Sequence, residues 1–273
     1  MWILKWHKMY RENNTPENYA AAVSRDARPM PAPLPGDYPT EPDNGWRYGF
    51  RRTRRHDKLC KRYGLTETAE QGTEFERALR VMQWFCANTY YNGMAFWSAM
   101  LPDNTPTILR YAYRKPFRRA INCRHKAVAL ADCLLAVGID ALPIGMIRDG
   151  CSHVIVHVWL TQEQRWVMFD PSFDAYITDE TGHVLNIIEI AQQHRAGKPL
   201  IIAQYHLNGA QDCRDCYLSY FMLGSIEELL LFDHTPRYTR KKMRNSLLPA
   251  GAKSNIKRSR AITASELLAA PKK

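Results

Sequence analysis

The chain has 273 residues, 45% of them hydrophobic, enough to bury a sizeable core in one large domain or two small ones. No run of about eighteen apolar residues is present to cross a bilayer as a helix. The formal charge of +11 is concentrated at one end: from Pro236 onward eleven Lys or Arg face a single acid, Glu266, so the preceding body is nearly neutral and a nucleic-acid-binding surface on that body is disfavoured.

In chain order, residues 1–60 form a polar and aromatic extension. Its first eight residues hold only a short apolar run, Trp2-Ile3-Leu4, too short for a secretory signal core. Six prolines between Pro29 and Pro42 predict an extended strap over the domain, with a proline-rich ligand for a partner as the alternative. The basic run from Arg51 to Arg62 reads as a solvated face. Seven cysteines, an odd number scattered from Cys60 to Cys216, do not form a disulfide framework in a chain this long, and reduced thiols fit a cytoplasmic protein.

A globular domain is predicted over 61–235. Thr73 and Glu76 form a capping box, and Phe75, Leu79, Met82 and Cys86 follow at helical spacing, so a core helix runs to about Tyr90. A second helix starts at Thr105-Pro106 and stops before Pro116. Trp97 lies between them, among aromatics that are most simply packing residues.

Ala127, Leu130, Ala131, Leu134 and Leu135 trace the apolar stripe of a third helix, ended by Gly138. Cys123 therefore sits at the first turn, where unpaired N–H groups and the positive end of the helix dipole favour thiolate over thiol and offer donors to an oxyanion. The plainer alternative is a buried helix cysteine. Ile139–Ile147 then reads as a buried strand and Asp149-Gly150 as a turn. Along the next strand His153, Ile155, His157 and Trp159 share one face, while Val154, Val156, Val158 and Leu160 share the other.

A polar loop from Gln162 to Arg165 leads into Trp166–Asp170. If the loop holds those four residues, Thr161 pairs with Trp166 and His157 stands directly opposite Asp170, with Cβ atoms roughly 5 Å apart. His157 is then the base and Asp170 its orienter, the logic of an activated nucleophile. His153, on the same face, is the alternative base, and the plainer alternative for Asp170 before Pro171 is a turn cap. Trp159 is a wall of a substrate groove or plain core.

Downstream, Asn186 caps a helix that ends at Gly197-Lys198-Pro199, and Leu200–Tyr205 and Cys216–Leu223 read as strands. Ser225-Ile226-Glu227-Glu228 opens a last short helix. Cys213 and Cys216 make a lone C-x-x-C without the further ligands that zinc requires. Residues 236–273 are expected to be a basic, largely disordered tail.

The order of a cysteine opening a helix, then histidine and aspartate on strands, resembles the transglutaminase-like superfamily. The matching residues are Asn122-Cys123-Arg124, Leu134-Leu135-Ala136-Val137-Gly138-Ile139, His157-Val158-Trp159, and Trp166 with Phe169-Asp170-Pro171-Ser172. The resemblance implies an α+β, papain-like fold with Cys123 as nucleophile, His157 as base and Asp170 as orienter. It also makes Trp97, upstream of the cysteine, a candidate oxyanion donor. The implied chemistry is thioester-mediated acyl transfer on peptide or carboxamide substrates, either hydrolysis or cross-linking. No cofactor is implied, and no acidic calcium loop is present. The competing expectation is a binding or scaffolding module with an idle triad, its basic tail gripping nucleic acid or an anionic surface.

Overall fold

The computed structural model describes residues 18–19, 32, 36–37, 42, 45, 47–50, 52–93, 95, 101, 104–115, 119–148, 151–208, 217–223, 226, 228–232 and 259–272. Among the described residues, five helices of four or more residues precede the sheet. The first, α1 (Arg54–Tyr63), begins with a box in which Thr53 and His56 cap each other, and Gly64, in the left-handed region at φ 64°, turns the chain into α2 (Leu65–Thr68). The Thr73/Glu76 box opens α3 (Glu74–Asn88) as the sequence predicts. Asn104 caps α4 (Thr105–Ala112), with Pro106 in its first turn.

The helix that carries Cys123, α5 (Cys123–Ala136), is the hub of this layer. The apolar stripe predicts one buried face, yet burial extends round nearly the whole helix and includes Arg124, His125 and Lys126. The reason is that α1, α3 and α4 pack on one side and the sheet on the other.

The strands are β1 (Ala141–Arg148), β2 (Cys151–Leu160), β3 (Arg165–Phe169), β4 (Tyr176–Thr178), β5 (Ile201–Gln204), β6 (Glu228–Phe232) and β7 (Ser259–Ala261). The main sheet is antiparallel throughout, in the order β3-β2-β1-β6-β7, while β4 and β5 form a separate ribbon. Alternation along β2 divides the protein into two cores. Val154, Val156, Val158 and Leu160 meet the helical layer; Ile155 and Trp159 meet α6 (Ile187–Arg195), the ribbon and the C-terminal segments.

Three expectations change. Residues 217–222 form a π-helical stretch rather than a strand, and the chain from Glu228 is strand β6 rather than a helix. The final fourteen described residues are not a disordered tail: β7 pairs with β6, and α7 (Ala264–Leu268) buries Leu267. Trp166 donates its indole N–H to the carbonyl of Ala269 at 3.1 Å, and the Lys272 N–H donates to the carbonyl of Tyr48 at 2.9 Å. Hydrogen bonds and burial at the sheet edge supply what low local apolar content does not announce. The basic stretch between β6 and β7 lies outside the described residues. No described helix is long and apolar enough to cross a membrane.

Candidate active site

Cys123 is the first residue of α5. Its predecessor Asn122 is the cap, with Oδ1 accepting from the His125 N–H at 3.1 Å, so the chain enters the helix in one fixed direction. The half-buried sulfur thus lies beside first-turn N–H groups that have no partner within the helix. The approach is braced by a short parallel bridge: Ile121 donates to the Tyr90 carbonyl at 3.0 Å, and Asn92 donates to the Ile121 carbonyl at 3.1 Å.

The β2–β3 register differs from the one predicted. Trp159 pairs with Trp166 and Leu160 with Arg165, so the loop is 161–164 and His157 faces Met168, not Asp170. Gln164 supplies the turn with a left-handed φ of 53°. Arg165 is drawn into the strand because its guanidinium reaches the Val184 carbonyl and the His183 ring. Continuing the register brings Asp170 level with Ile155, between the two histidines, and diagonal neighbours on one face are within reach of long side chains.

The carboxylate takes the diagonal to His153. Nε2 of His153 lies 2.6 Å from Oδ2 of Asp170, with the two residues 1% and 0% exposed. Oδ1 accepts from the Ser172 N–H at 2.9 Å, and the hydroxyl of Tyr217, in the π-helical stretch, also lies against this carboxylate. The Cys123 side chain interacts electrostatically with the same imidazole. With Nε2 committed to Asp170, Nδ1 is the ring atom left for sulfur. Burial alone would push the His153 pKa down; the Asp170 charge, its hydrogen bond and the contact with Cys123 outweigh burial and raise it to about 10. The imidazole is therefore charged at neutral pH.

His157 is a different kind of residue. Its Nε2 accepts the backbone N–H of Ile187 at 3.0 Å, capping the first turn of α6, and its ring stacks on Trp166 at 5.9 Å. Burial depresses its pKa to about 3, so it stays neutral. An imidazole whose lone pair is occupied by a buried amide has no base to offer a thiol. Trp159 is 6% exposed and set edge-on against Trp166, which makes it a core residue rather than a groove wall. Trp97 lies outside the described residues, as does the Cys213/Cys216 pair.

Two further groups surround the site. Lys126, one turn after Cys123, is 1% exposed; its Nζ donates to the Thr89 carbonyl at 3.0 Å and sits 5.5 Å from the Phe85 ring centre. Burial lowers its pKa, opposed by Cys86, Asp174 and Asp170. Cys86 donates its thiol to the Pro171 carbonyl at 3.1 Å, and burial pushes that thiol up, leaving it a poor nucleophile. The charged and polar run Arg124-His125-Lys126, placed ahead of the apolar stripe of the helix, is the signal in the sequence that points to this polar floor. Among the described residues no three or more His, Cys, Asp or Glu side chains are grouped to hold a metal ion.

Residues 61–171 match the family model of the transglutaminase-like superfamily, a span that holds Cys123, His153, His157 and Asp170. No protein of curated function matches the chain. Residues 61–171 are thus similar to the transglutaminase-like superfamily, and the chain's mixture of helices and antiparallel sheet is the α+β architecture expected from the sequence.

Proposed function

We propose that this transglutaminase-like protein is a cysteine-dependent acyl-transfer enzyme in which Cys123 is the nucleophile, His153 the proton-transfer group and Asp170 its orienter. The observation that carries the reading is the buried 2.6 Å contact between His153 and Asp170, on an imidazole that also interacts with the Cys123 side chain. An imidazole held by a carboxylate beside a sulfur at a helix start is the arrangement of an activated nucleophile and its proton-transfer partner.

The steps follow from these groups. The Cys123 thiolate adds to the carbonyl carbon of a carboxamide or peptide, forming a C–S bond and an oxyanion. His153 gives its proton to the departing nitrogen as the C–N bond breaks, leaving a thioester and free amine. His153, now neutral, takes a proton from water as oxygen adds to the thioester; collapse releases a carboxylic acid and restores the thiolate and the imidazolium. Asp170 holds the ring orientation and stabilises its charge at every stage. With water as acceptor the reaction is peptide or carboxamide hydrolysis, and with a lysine amine it is cross-linking. The proposed reaction is hydrolysis, with a peptide or protein as substrate and no cofactor.

The test is thiol titration with iodoacetamide near pH 6. The expected result is one fast-labelling site that peptide mapping assigns to Cys123. Slow, uniform labelling of all thiols would remove the enzymatic reading in favour of a binding module.

A further inference from the structure

Helices α1 and α4 are far apart in sequence yet lie side by side on α5. One carboxylate joins their first turns: Asp132 of α5 accepts from the Thr105 hydroxyl at 2.5 Å and lies 3.5 Å from Nε2 of His56. Their last turns meet through Tyr63, which ends α1, and Tyr113, which follows α4; the two rings are 4.9 Å apart and set edge-on. Pinned at both ends, the helices run in the same direction and present one outer face.

That face is basic. From α1 it carries Arg54, Arg55, Lys58, Lys61 and Arg62, and from α4 and the turn after it Arg110, Arg114, Lys115 and Arg119, every one exposed. Asp57 is the one acid among the described residues of these two segments, and Arg52 already holds it at 2.9 Å. The nearly neutral total of the body conceals this concentration, because its acids lie on other elements. Arg54 and Arg55 sit in the first turn of α1, at the positive end of its dipole, and Lys58 has a like charge one turn away on each side, at Arg54 and Arg62. Both arrangements disfavour the helix, so local stability does not account for them.

Aromatic rings lie among these charges. Trp84 of α3, half-buried, is 6.0 Å from Tyr63 and 5.8 Å from the half-buried Tyr113. The guanidiniums of Arg62, Arg114 and Arg119 lie 5.5, 5.0 and 5.7 Å over the rings of Tyr63, Tyr113 and Tyr111. Arg114 is held further: its N–H donates to the Asn88 carbonyl at 2.9 Å and its Nε to Oδ1 of the same residue at 2.8 Å, which keeps its backbone at a left-handed φ of 46°. With Nε committed, its two terminal nitrogens are the fork left for an anion.

Charge alone would suit any polyanion, and the remaining features choose among them. Six of the nine exposed cations are arginine, whose planar fork matches phosphate geometry. Guanidinium–ring pairs are platforms on which bases stack. An acidic polypeptide has use for neither. We propose that the α1–α4 face binds single-stranded nucleic acid, its arginines pairing with backbone phosphates while Tyr111, Tyr113 and Trp84 take bases. The binding is independent of the acyl-transfer chemistry and of the basic stretch between β6 and β7.

The test is fluorescence anisotropy of the full-length protein with a fluorescein-labelled single-stranded DNA of mixed sequence, about twenty nucleotides long, over a series of salt concentrations. Wild type should bind with an affinity that falls steeply as salt rises. The triple variant Arg62→Gln, Arg110→Gln, Arg114→Gln loses three phosphate contacts, so its slope of log affinity against log salt should be shallower by about 2. Its substitutions are on the surface, and thermal melting and iodoacetamide labelling of Cys123 should stay as in wild type. Tyr113→Leu should bind about ten-fold more weakly at an unchanged slope, the scale of one lost stacked base. An unchanged slope in the triple variant would overturn the proposal by placing the binding on the basic stretch elsewhere. So would equal or tighter binding of the duplex of the same sequence, whose bases are closed to stacking. Displacement of the DNA by polyglutamate at equal charge concentration would make the face a dock for acidic protein instead, and a wild type that binds no DNA would remove the site altogether.

Discussion

Two histidines on one face of β2 are both fully enclosed, yet they are driven to opposite ends of the titration scale. At the start of the strand His153 faces a carboxylate and a thiol, and its pKa is raised to about 10; in the middle His157 faces a backbone N–H and an indole, and its pKa falls to about 3. Burial is common to both and penalises the charged ring in both. What differs is the partner's sign: a carboxylate compensates the buried charge, while an amide proton occupies the lone pair and forbids protonation. A proton-transfer group is therefore recognised by what its ring nitrogens touch, and enclosure alone says nothing.

The largest expected effect comes from exchanging the two histidines as targets. His153→Ala should lower acyl transfer and iodoacetamide labelling of Cys123 by about 10³-fold or more, within the range for losing a positioned acid–base group. His157→Leu should leave labelling within a few-fold of wild type but strand the Ile187 N–H, costing about 1–3 kcal/mol of stability by urea titration. Equal losses of labelling in both variants would break the distinction.

Next in size is the pH dependence of stability. His157 has a folded pKa below its unfolded value, so the unfolded chain binds the extra proton. Stability should fall as pH drops from about 6.5 towards about 3, at up to about 1.4 kcal/mol per unit. His153 has the reverse sign: its contribution is complete below about 6.5 and is lost as pH rises through about 10. Thermal melts across both windows check this, with His157→Leu flattening only the acid limb and His153→Ala only the alkaline one.

A smaller effect is expected at the helix caps. Thr73→Ala removes the side chain that accepts from the Glu76 N–H and should cost about 1 kcal/mol without altering Cys123 labelling.

The helices were largely legible because capping boxes and 3.6-residue spacing are local. The Thr73/Glu76 and Asn186/Glu189 boxes and the Cys123 position at a helix start are each written within a few residues. The choice between His153 and His157 was not, because it depends on a register shift of two residues. That shift is set by Arg165, whose partners at 183 and 184 lie on a later turn. The π-helical stretch at 217–222 escaped because a short apolar run carries no period that separates strand from helix.

The pairing of β7 with β6, and of residue 272 with 49, joins the far end of the chain to the region just ahead of the first helix. During synthesis the nucleophile and both histidines emerge long before the strand that closes the sheet, and contacts between such distant segments form late and slowly. A ribosome-bound chain halted before Ser259 would expose the unpaired edge of β6, so chaperone dependence should be greatest at that stage of its manufacture.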